Sequence, residues 1–343
     1  MKDENLNHLD YLKKIYNSQK RILEFNATSL EEWKKWKSTL KEKFLELLGG
    51  FPDPSDSFDV KVVEHVKEKG YTREKIYYLS ESNVYVPAYI LIPFEADPPF
   101  RCVIALHGHG RGVADVIGSG TKAEIEQYVR PMNYDYAIQL VKHGFLVFAP
   151  EMRGFGERRD EADKIKGPGI SSCRQMSYNS LMLGRHILAY RIFDILRGID
   201  YLETRLDVDG KRIGCLGLSH GGTLTAFASV FDERIKVAVI SGYVNTFKDS
   251  IMSIPHCDCN YIPQILKYSE LYDIISLIAP RPLFVEHGSK DPIFPVNAAK
   301  FAFEKIKSVY EVAGKPQNVK MTIFDGGHQF NGSSAFEWLE KLL

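Results

Sequence analysis

The stretch Arg212–Thr223 constrains this chain more than any other. It reads Arg-Ile-Gly-Cys-Leu-Gly-Leu-Ser-His-Gly-Gly-Thr. Its first half is a short apolar run, the pattern of a buried strand. Gly217-Leu218-Ser219-His220-Gly221 follows, a G-x-S-x-G, and Leu224, Ala226, Phe227, Ala228 and Val230 then suit a helix packed on a sheet. A strand that feeds a helix through this pentad is the context in which the serine serves as a nucleophile. The turn leaves no room for side chains at Gly217 and Gly221. It holds Ser219 in a strained conformation with its hydroxyl exposed, and the helix N-terminus favours nearby negative charge. The competing reading is a glycine-rich strand–helix turn with an idle serine.

The chain has 343 residues, room for one large α/β domain with insertions or for two modest domains. Hydrophobic residues make up 44% and charged residues 26%, so a sizeable core can be buried. Formal net charge is +0, and no basic excess points to nucleic acid. Met1-Lys2-Asp3-Glu4-Asn5 is polar and leads into no apolar h-region, so no signal peptide is expected. No stretch approaches the ~20 apolar residues of a membrane span. Five cysteines without small-scaffold spacing suit a reducing compartment, and a cytoplasmic location is the expectation.

Residues 1–57 read as a helical extension and linker, and 58–343 as the main domain. Leu6, Leu9, Leu12, Ile15 and Tyr16 keep helical spacing. Ser29-Leu30-Glu31-Glu32 fits a capping box, and Trp33, Trp36, Leu40, Phe44, Leu47 and Leu48 form one apolar stripe ended by Gly49-Gly50. That stripe is core or a docking surface, and it is the candidate contact of a homo-oligomer. Strands are expected at Asp59–Lys69, Arg73–Ser80 and Val84–Pro93 as an antiparallel meander. Cys102–Leu106, Phe145–Ala149, Val237–Ile240, Pro282–Glu286 and Val319–Phe324 read as further strands. They alternate with helices at Ala137–His143, Arg185–Arg205, Asn297–Val309 and Ser334–Leu343. This alternation predicts an α/β fold with a doubly wound, mostly parallel sheet. Insertions are expected at about 155–184 and 245–279.

Three polar groups follow three different strands in the order Ser219, Asp291, His328. In a parallel sheet the loops after the strand ends gather on one edge, so distant residues can meet there. With the G-x-S-x-G, this order resembles that of α/β-hydrolases, in the branch of dienelactone hydrolases and acetyl xylan esterases. The likeness spans roughly residues 58–343. It implies a serine esterase that forms an acyl-enzyme and needs no metal or organic cofactor, with a small-molecule ester as its partner. Ser219 would be the nucleophile, His328 the base and Asp291 the group that orients the imidazole. Imidazole changes protonation near neutral pH, which suits a base. The other reading of Asp291 is a turn aspartate before Pro292, and Asp325 is a rival acid. Asp291 is preferred because Gly-Ser-Lys-Asp-Pro follows a strand, where the family places its acid.

The resemblance also assigns the oxyanion donors. The His220 N–H is one, and the His109 or Gly110 N–H, in the His107-Gly108-His109-Gly110 loop, is the other. A metal site on His107 and His109 is a weak alternative without a neighbouring acid. Arg153-Gly154-Phe155-Gly156 resembles the R-G-x-G of acetyl xylan esterase relatives. Arg153 either braces a loop through a carboxylate, the favoured role, or faces substrate. In the second insertion, Cys257-Asp258-Cys259 with His256 invites a zinc reading. Its spacing is tighter than common zinc pairs and no second pair follows, so packing within a lid is expected and no metal. That lid should cover the site, with Tyr243, Met252, Tyr261 and Tyr268 as pocket walls. The chain departs from its relatives in three places. Dienelactone hydrolases use cysteine where Ser219 stands. Sugar-acetyl esterases carry Glu where Gln329 stands, and Gln where His220 stands. A peptidase of related fold and a non-catalytic binding module remain alternatives, although residues 1–57 are too short for the propeller of oligopeptidases.

Overall fold

The structure, a computed structural model, describes residues 7–343. Leu6 and the residues before it lie outside the described residues. Nine strands form one sheet: β1 (Lys61–Lys67), β2 (Tyr71–Glu81), β3 (Val84–Pro93), β4 (Phe100–Leu106), β5 (Leu146–Pro150), β6 (Val208–Leu218), β7 (Ile235–Ser241), β8 (Leu283–Gly288) and β9 (Val319–Phe324). Their order is β1-β2-β3-β5-β4-β6-β7-β8-β9. The β1–β2, β2–β3 and β3–β5 pairs are antiparallel. All pairs from β5–β4 to β8–β9 are parallel. The expected meander and parallel half are both present. The outermost strand, Lys-Val-Val-Glu-His-Val-Lys, is mostly exposed and carries the charges that discourage edge pairing.

The central strands show the two-sided burial that parallel sheets require, because crossover helices cover both faces. Alternate residues go to opposite layers. Cys102, Ile104, Leu146, Phe148, Ile213 and Cys215 join one core. Val103, Ala105, Val147, Ala149, Leu216 and Leu218 join the other. The first core takes its helices from α2 (Leu30–Leu47), α5 (Ile187–Thr204), α6 (His220–Phe231), α7 (Leu271–Ser276) and α8 (Val296–Val312). The second is roofed by α3 (Tyr136–Lys142) and α9 (Ser333–Leu342). The remaining helices named here are α1 (His8–Ser18) and α4 (Cys173–Met182). No helix among the described residues is long and apolar enough to cross a membrane.

The capping box read from Ser29 and Glu32 forms as expected and opens α2. The stripe of α2 is buried in the chain's own core, the first of its two expected destinations. Phe44 packs on Phe227 and Phe231, and the Lys37 ammonium donates to the Ala279 carbonyl. The exposed apolar face of this region belongs instead to α1, through Leu9, Tyr11, Leu12 and Ile15.

α5 starts at a buried histidine. His186 Nδ1 accepts from the Leu188 N–H at 3.3 Å, and its Nε2 side meets the Tyr261 carbonyl at 3.3 Å. Burial pushes the imidazole down to about 4. The unfolded chain therefore binds the extra proton between about pH 6.5 and 4, and the folded chain does not. Stability falls as pH is lowered through that window, by on the order of 3 kcal/mol in full. Asparagine keeps a short polar cap and has no proton to gain. In His186→Asn the loss of stability between pH 6.5 and 4 should be shallower, read from urea midpoints at several pH values. Parallel losses in both proteins would assign that acid sensitivity to other groups.

Candidate functional site

β6 delivers Ser219 at a backbone φ of 59° and ψ of −119°, a strained conformation for a side-chain-bearing residue. Two glycines make the turn possible. A Cβ at Gly221 would fall on the Leu106 carbonyl oxygen, and one at Gly217 on the Gly221 backbone. β4 and the start of α6 thus approach closer than any side chain permits. Gly221→Ala should be destabilised by on the order of 3 kcal/mol, as overpacking against rigid backbone. A urea midpoint equal to that of the parent would contradict this packing.

The Ser219 N–H bonds the Ser241 carbonyl at 3.0 Å, which ties the elbow to the end of β7. α6 then begins at His220, and the N–H groups of a first helical turn have no partner within the helix. On the neighbouring loop, Gly108 lies against the Tyr134 hydroxyl.

Asp291 and His328 come together as expected. His328 Nδ1 lies 2.7 Å from Asp291 Oδ2. Asp291 Oδ1 accepts from the N–H groups of Ile293 at 2.8 Å and Phe294 at 3.0 Å. The turn role and the pairing with histidine are therefore both real and use different oxygens. Burial raises the Asp291 carboxyl, but the His328 bond and the two N–H donors outweigh it and hold it below the usual carboxylate range. It is ionised at neutral pH. The turn also places Phe294, whose ring stacks on His328 at 5.7 Å. His328 Nε2 is buried and has no hydrogen-bond partner among the described residues. An imidazole oriented by a carboxylate, with its far nitrogen free, can accept a proton. The rival Asp325 is an exposed surface acid, paired with Lys290 at 2.6 Å and with the Ser289 hydroxyl at 3.3 Å.

Two groups that position these loops were not foreseen. Glu286, buried at the end of β8, accepts from Ser241 Oγ at 2.9 Å and from the N–H groups of Asn331 and Gly332 at 2.8 and 2.7 Å. It fastens the His328 loop to the strand beside it. Arg191, on α5, is fully buried. Its guanidinium donates to the Arg153 carbonyl at 2.7 Å, to His220 Nε2 at 2.9 Å and to Cys173 Sγ at 3.2 Å. An arginine inside a helical apolar stripe gives no sequence signal beyond its charge.

Arg153 takes the bracing role. Its Nε and Nη2 grip both oxygens of Asp194 at 2.9 and 2.8 Å, and Nη2 also reaches Glu81. The four suggested pocket walls do not line one pocket. Tyr243 is buried between Phe227 and Phe294. Met252 and Tyr261 line a groove of about 480 Å³ with Leu9 and Leu12 of α1. Tyr268 lies under Lys43 of α2.

The two metal readings from sequence separate here. His107 is engaged elsewhere: Nδ1 meets the Gly108 carbonyl at 2.8 Å and Nε2 accepts from the Met152 N–H at 3.0 Å. His256 accepts from the Cys257 N–H at 2.9 Å. His109, by contrast, joins Cys173, Cys257 and Cys259, and the four ligand atoms lie within 4.8 Å of one another. Cys257 and Cys259, expected to pack within a lid, thus stand beside a histidine and a third thiol. Their partners come from two other segments.

The model of the Abhydrolase family matches residues 6–331. The chain belongs to the abhydrolase family. The elbow, the strand order and the alternation of helices are the α/β-hydrolase fold of that family. Among curated proteins, this abhydrolase is 26% identical over 299 residues to "Putative hydrolase YtaP" of Bacillus subtilis, covering 84% of this chain and 92% of the other. A shorter match, 25% identical over 142 residues, is to carbohydrate esterase MZ0003 of an unknown prokaryotic organism, covering 36% of this chain and 32% of that one. Among solved structures, a putative acetyl xylan esterase from Bacteroides fragilis superposes with a TM-score of 0.83 at 19% identity, covering 99% of this chain and 95% of the other. A glucuronoyl esterase from Solibacter usitatus reaches a TM-score of 0.64 at 14% identity, covering 90% and 93%. These structural likenesses carry the fold.

Proposed function

We propose that this abhydrolase, a carboxylic ester hydrolase, cleaves short-chain or acylated-carbohydrate esters through an acyl-enzyme on Ser219. His328 Nε2 takes the serine proton and later returns it to the leaving alcohol. Asp291 holds the imidazole in the Nδ1–H tautomer and stabilises the imidazolium. The tetrahedral oxyanion is met by the N–H of His220, at the start of α6, and by that of His109 or Gly110. The observation that carries this reading is the 2.7 Å His328–Asp291 pair on the sheet edge where the Ser219 elbow ends. The carbohydrate preference draws on the names of the relatives, a carbohydrate esterase and an acetyl xylan esterase.

The test is hydrolysis of p-nitrophenyl esters from acetate to octanoate, beside acetylated xylo-oligosaccharides and peptide p-nitroanilides. Turnover confined to esters, falling steeply beyond butyrate, and shared by the acetylated sugars, is the expected result. Turnover of the peptides alone would move the chain to the peptidases. Turnover of long acyl esters without the sugars would remove the substrate class and keep the chemistry.

A further inference from the structure

We propose that His109, Cys173, Cys257 and Cys259 bind one zinc ion, which fastens the second insertion to the loop beside the nucleophile. Four of the six ligand–ligand spacings are close to those of a tetrahedral site, and all six fall within 4.8 Å. A zinc with Zn–S of about 2.3 Å and Zn–N of about 2.0 Å places its ligands roughly 3.5–3.8 Å apart. Here Cys173 and Cys257 Sγ are 3.3 Å apart, and Cys257 and Cys259 Sγ 3.3 Å. His109 Nε2 lies 3.5 Å from Cys259 Sγ and 4.0 Å from Cys173 Sγ. All five cysteines of the chain are free thiols. A disulfide could join only two of these three sulfurs and would leave the third beside an imidazole. Three thiolates with one imidazole is a donor set of structural zinc, and soft sulfur ligands exclude calcium and magnesium.

Charge supplies an independent argument. Arg191 is fully buried, and none of its bonds among the described residues goes to a carboxylate. A buried guanidinium without an anion is strongly unfavourable. Zinc with three thiolates carries one net negative charge, and Arg191 touches one of those sulfurs at 3.2 Å. Together they are neutral. The outer contacts also suit thiolates. Asn260 Nδ2 donates to Cys259 Sγ at 3.7 Å. His220 accepts the Arg191 proton at Nε2, so its Nδ1 carries hydrogen, and this faces Cys259 Sγ at 3.9 Å. Such second contacts orient ligands and tune a metal.

Four protein ligands leave no open position, so the site is structural and the zinc takes no part in bond breaking. Its ligands come from the β4–α3 loop, from α4 and from the second insertion. One ion thus joins the loop that carries His109 and Gly110 to the 245–279 insertion, and His220, the residue after the nucleophile, faces its ligand Cys259. Binding deprotonates the three thiols and releases their protons to solvent, with no change of oxidation state.

Metal content is read without reference to turnover, so this inference and the esterase reading can fail separately. Protein purified without chelator should contain about one zinc per chain by elemental analysis, a stoichiometry set by the four-ligand site. After chelator treatment, cobalt(II) should restore one equivalent with the intense visible bands of a tetrahedral thiolate site. Cys259→Ser and the half-exposed Cys257→Ser should each retain far less zinc, with Cys215→Ser as a control that retains it. Chelation should also lower the melting temperature of the parent, and zinc should restore it. Zinc and cobalt far below one equivalent in a folded protein would overturn the proposal. In that case three thiols open to titration would indicate plain packing, and a Cys173–Cys257 or Cys257–Cys259 disulfide would indicate a redox pair.

Discussion

Ser219→Ala should lower kcat for p-nitrophenyl acetate by about 10⁴–10⁶ while leaving the fold intact, by analogy with loss of the nucleophile in other serine hydrolases. Alanine keeps the Cβ, so the elbow at φ 59° is neither relieved nor worsened. The backbone bond from residue 219 to the Ser241 carbonyl is untouched. The loss would therefore be chemical. Glycine at the same position separates strain from chemistry. Ser219→Gly should be equally inactive, and removal of a strained positive φ should stabilise the protein by about 1 kcal/mol. An inactive, stabilised glycine variant would show that the strain in the elbow serves the hydroxyl. Retained turnover in Ser219→Ala would remove the serine from the mechanism.

Asp291→Asn is the second large effect, and the division of labour between its two oxygens makes it specific. The amide oxygen can stay with the Ile293 and Phe294 N–H groups, so the turn survives. The amide NH₂ then faces His328 Nδ1, where the carboxylate oxygen stood at 2.7 Å. It donates where the carboxylate accepted. His328 must carry its proton on Nε2, the nitrogen that should receive the proton of Ser219. A loss of about 10⁴ in kcat is expected, the size seen when the wrong tautomer is imposed on another serine triad. The denaturation midpoint at pH 7 should shift little, because both turn bonds persist and the carboxylate–imidazole hydrogen bond is exchanged for an amide–imidazole one. Activity within tenfold of the parent would return the acid's role to another residue. Collapse of the fold would show that the turn depends on the charge, and Asp291→Ala, which breaks both contacts, provides the comparison.

The order Ser219, Asp291, His328 was readable because each residue directly follows an apolar run, and parallel strands bring such loops to one edge. The meander, the buried parallel strands and the α2 capping box were legible for the same local reasons. The α2 stripe was legible as apolar, but its destination was not. Whether Phe44 meets Phe227 or a second subunit depends on how the chain returns across the sheet. The cysteine cluster escaped for a related reason. Cys257-Asp258-Cys259 shows half a site, while Cys173 lies 84 residues away and His109 150 residues from Cys259. His107 and His109 looked equivalent two residues apart, yet only the fold turns one toward Met152 and the other toward the thiols. Glu286 and Arg191 were silent because a charged residue inside an apolar run gives no hint of what will neutralise it.

The most direct test of the proposed chemistry is the mass of the trapped intermediate. The parent protein is mixed with p-nitrophenyl acetate, quenched in acid within the first turnovers and digested. One acetyl group on the peptide that contains Ser219 is the expected result, absent from Ser219→Ala and reduced in Asp291→Asn. Rapid release of p-nitrophenol with no acetyl on that peptide, or with acetyl on a cysteine or lysine peptide, would contradict an acyl-enzyme on Ser219.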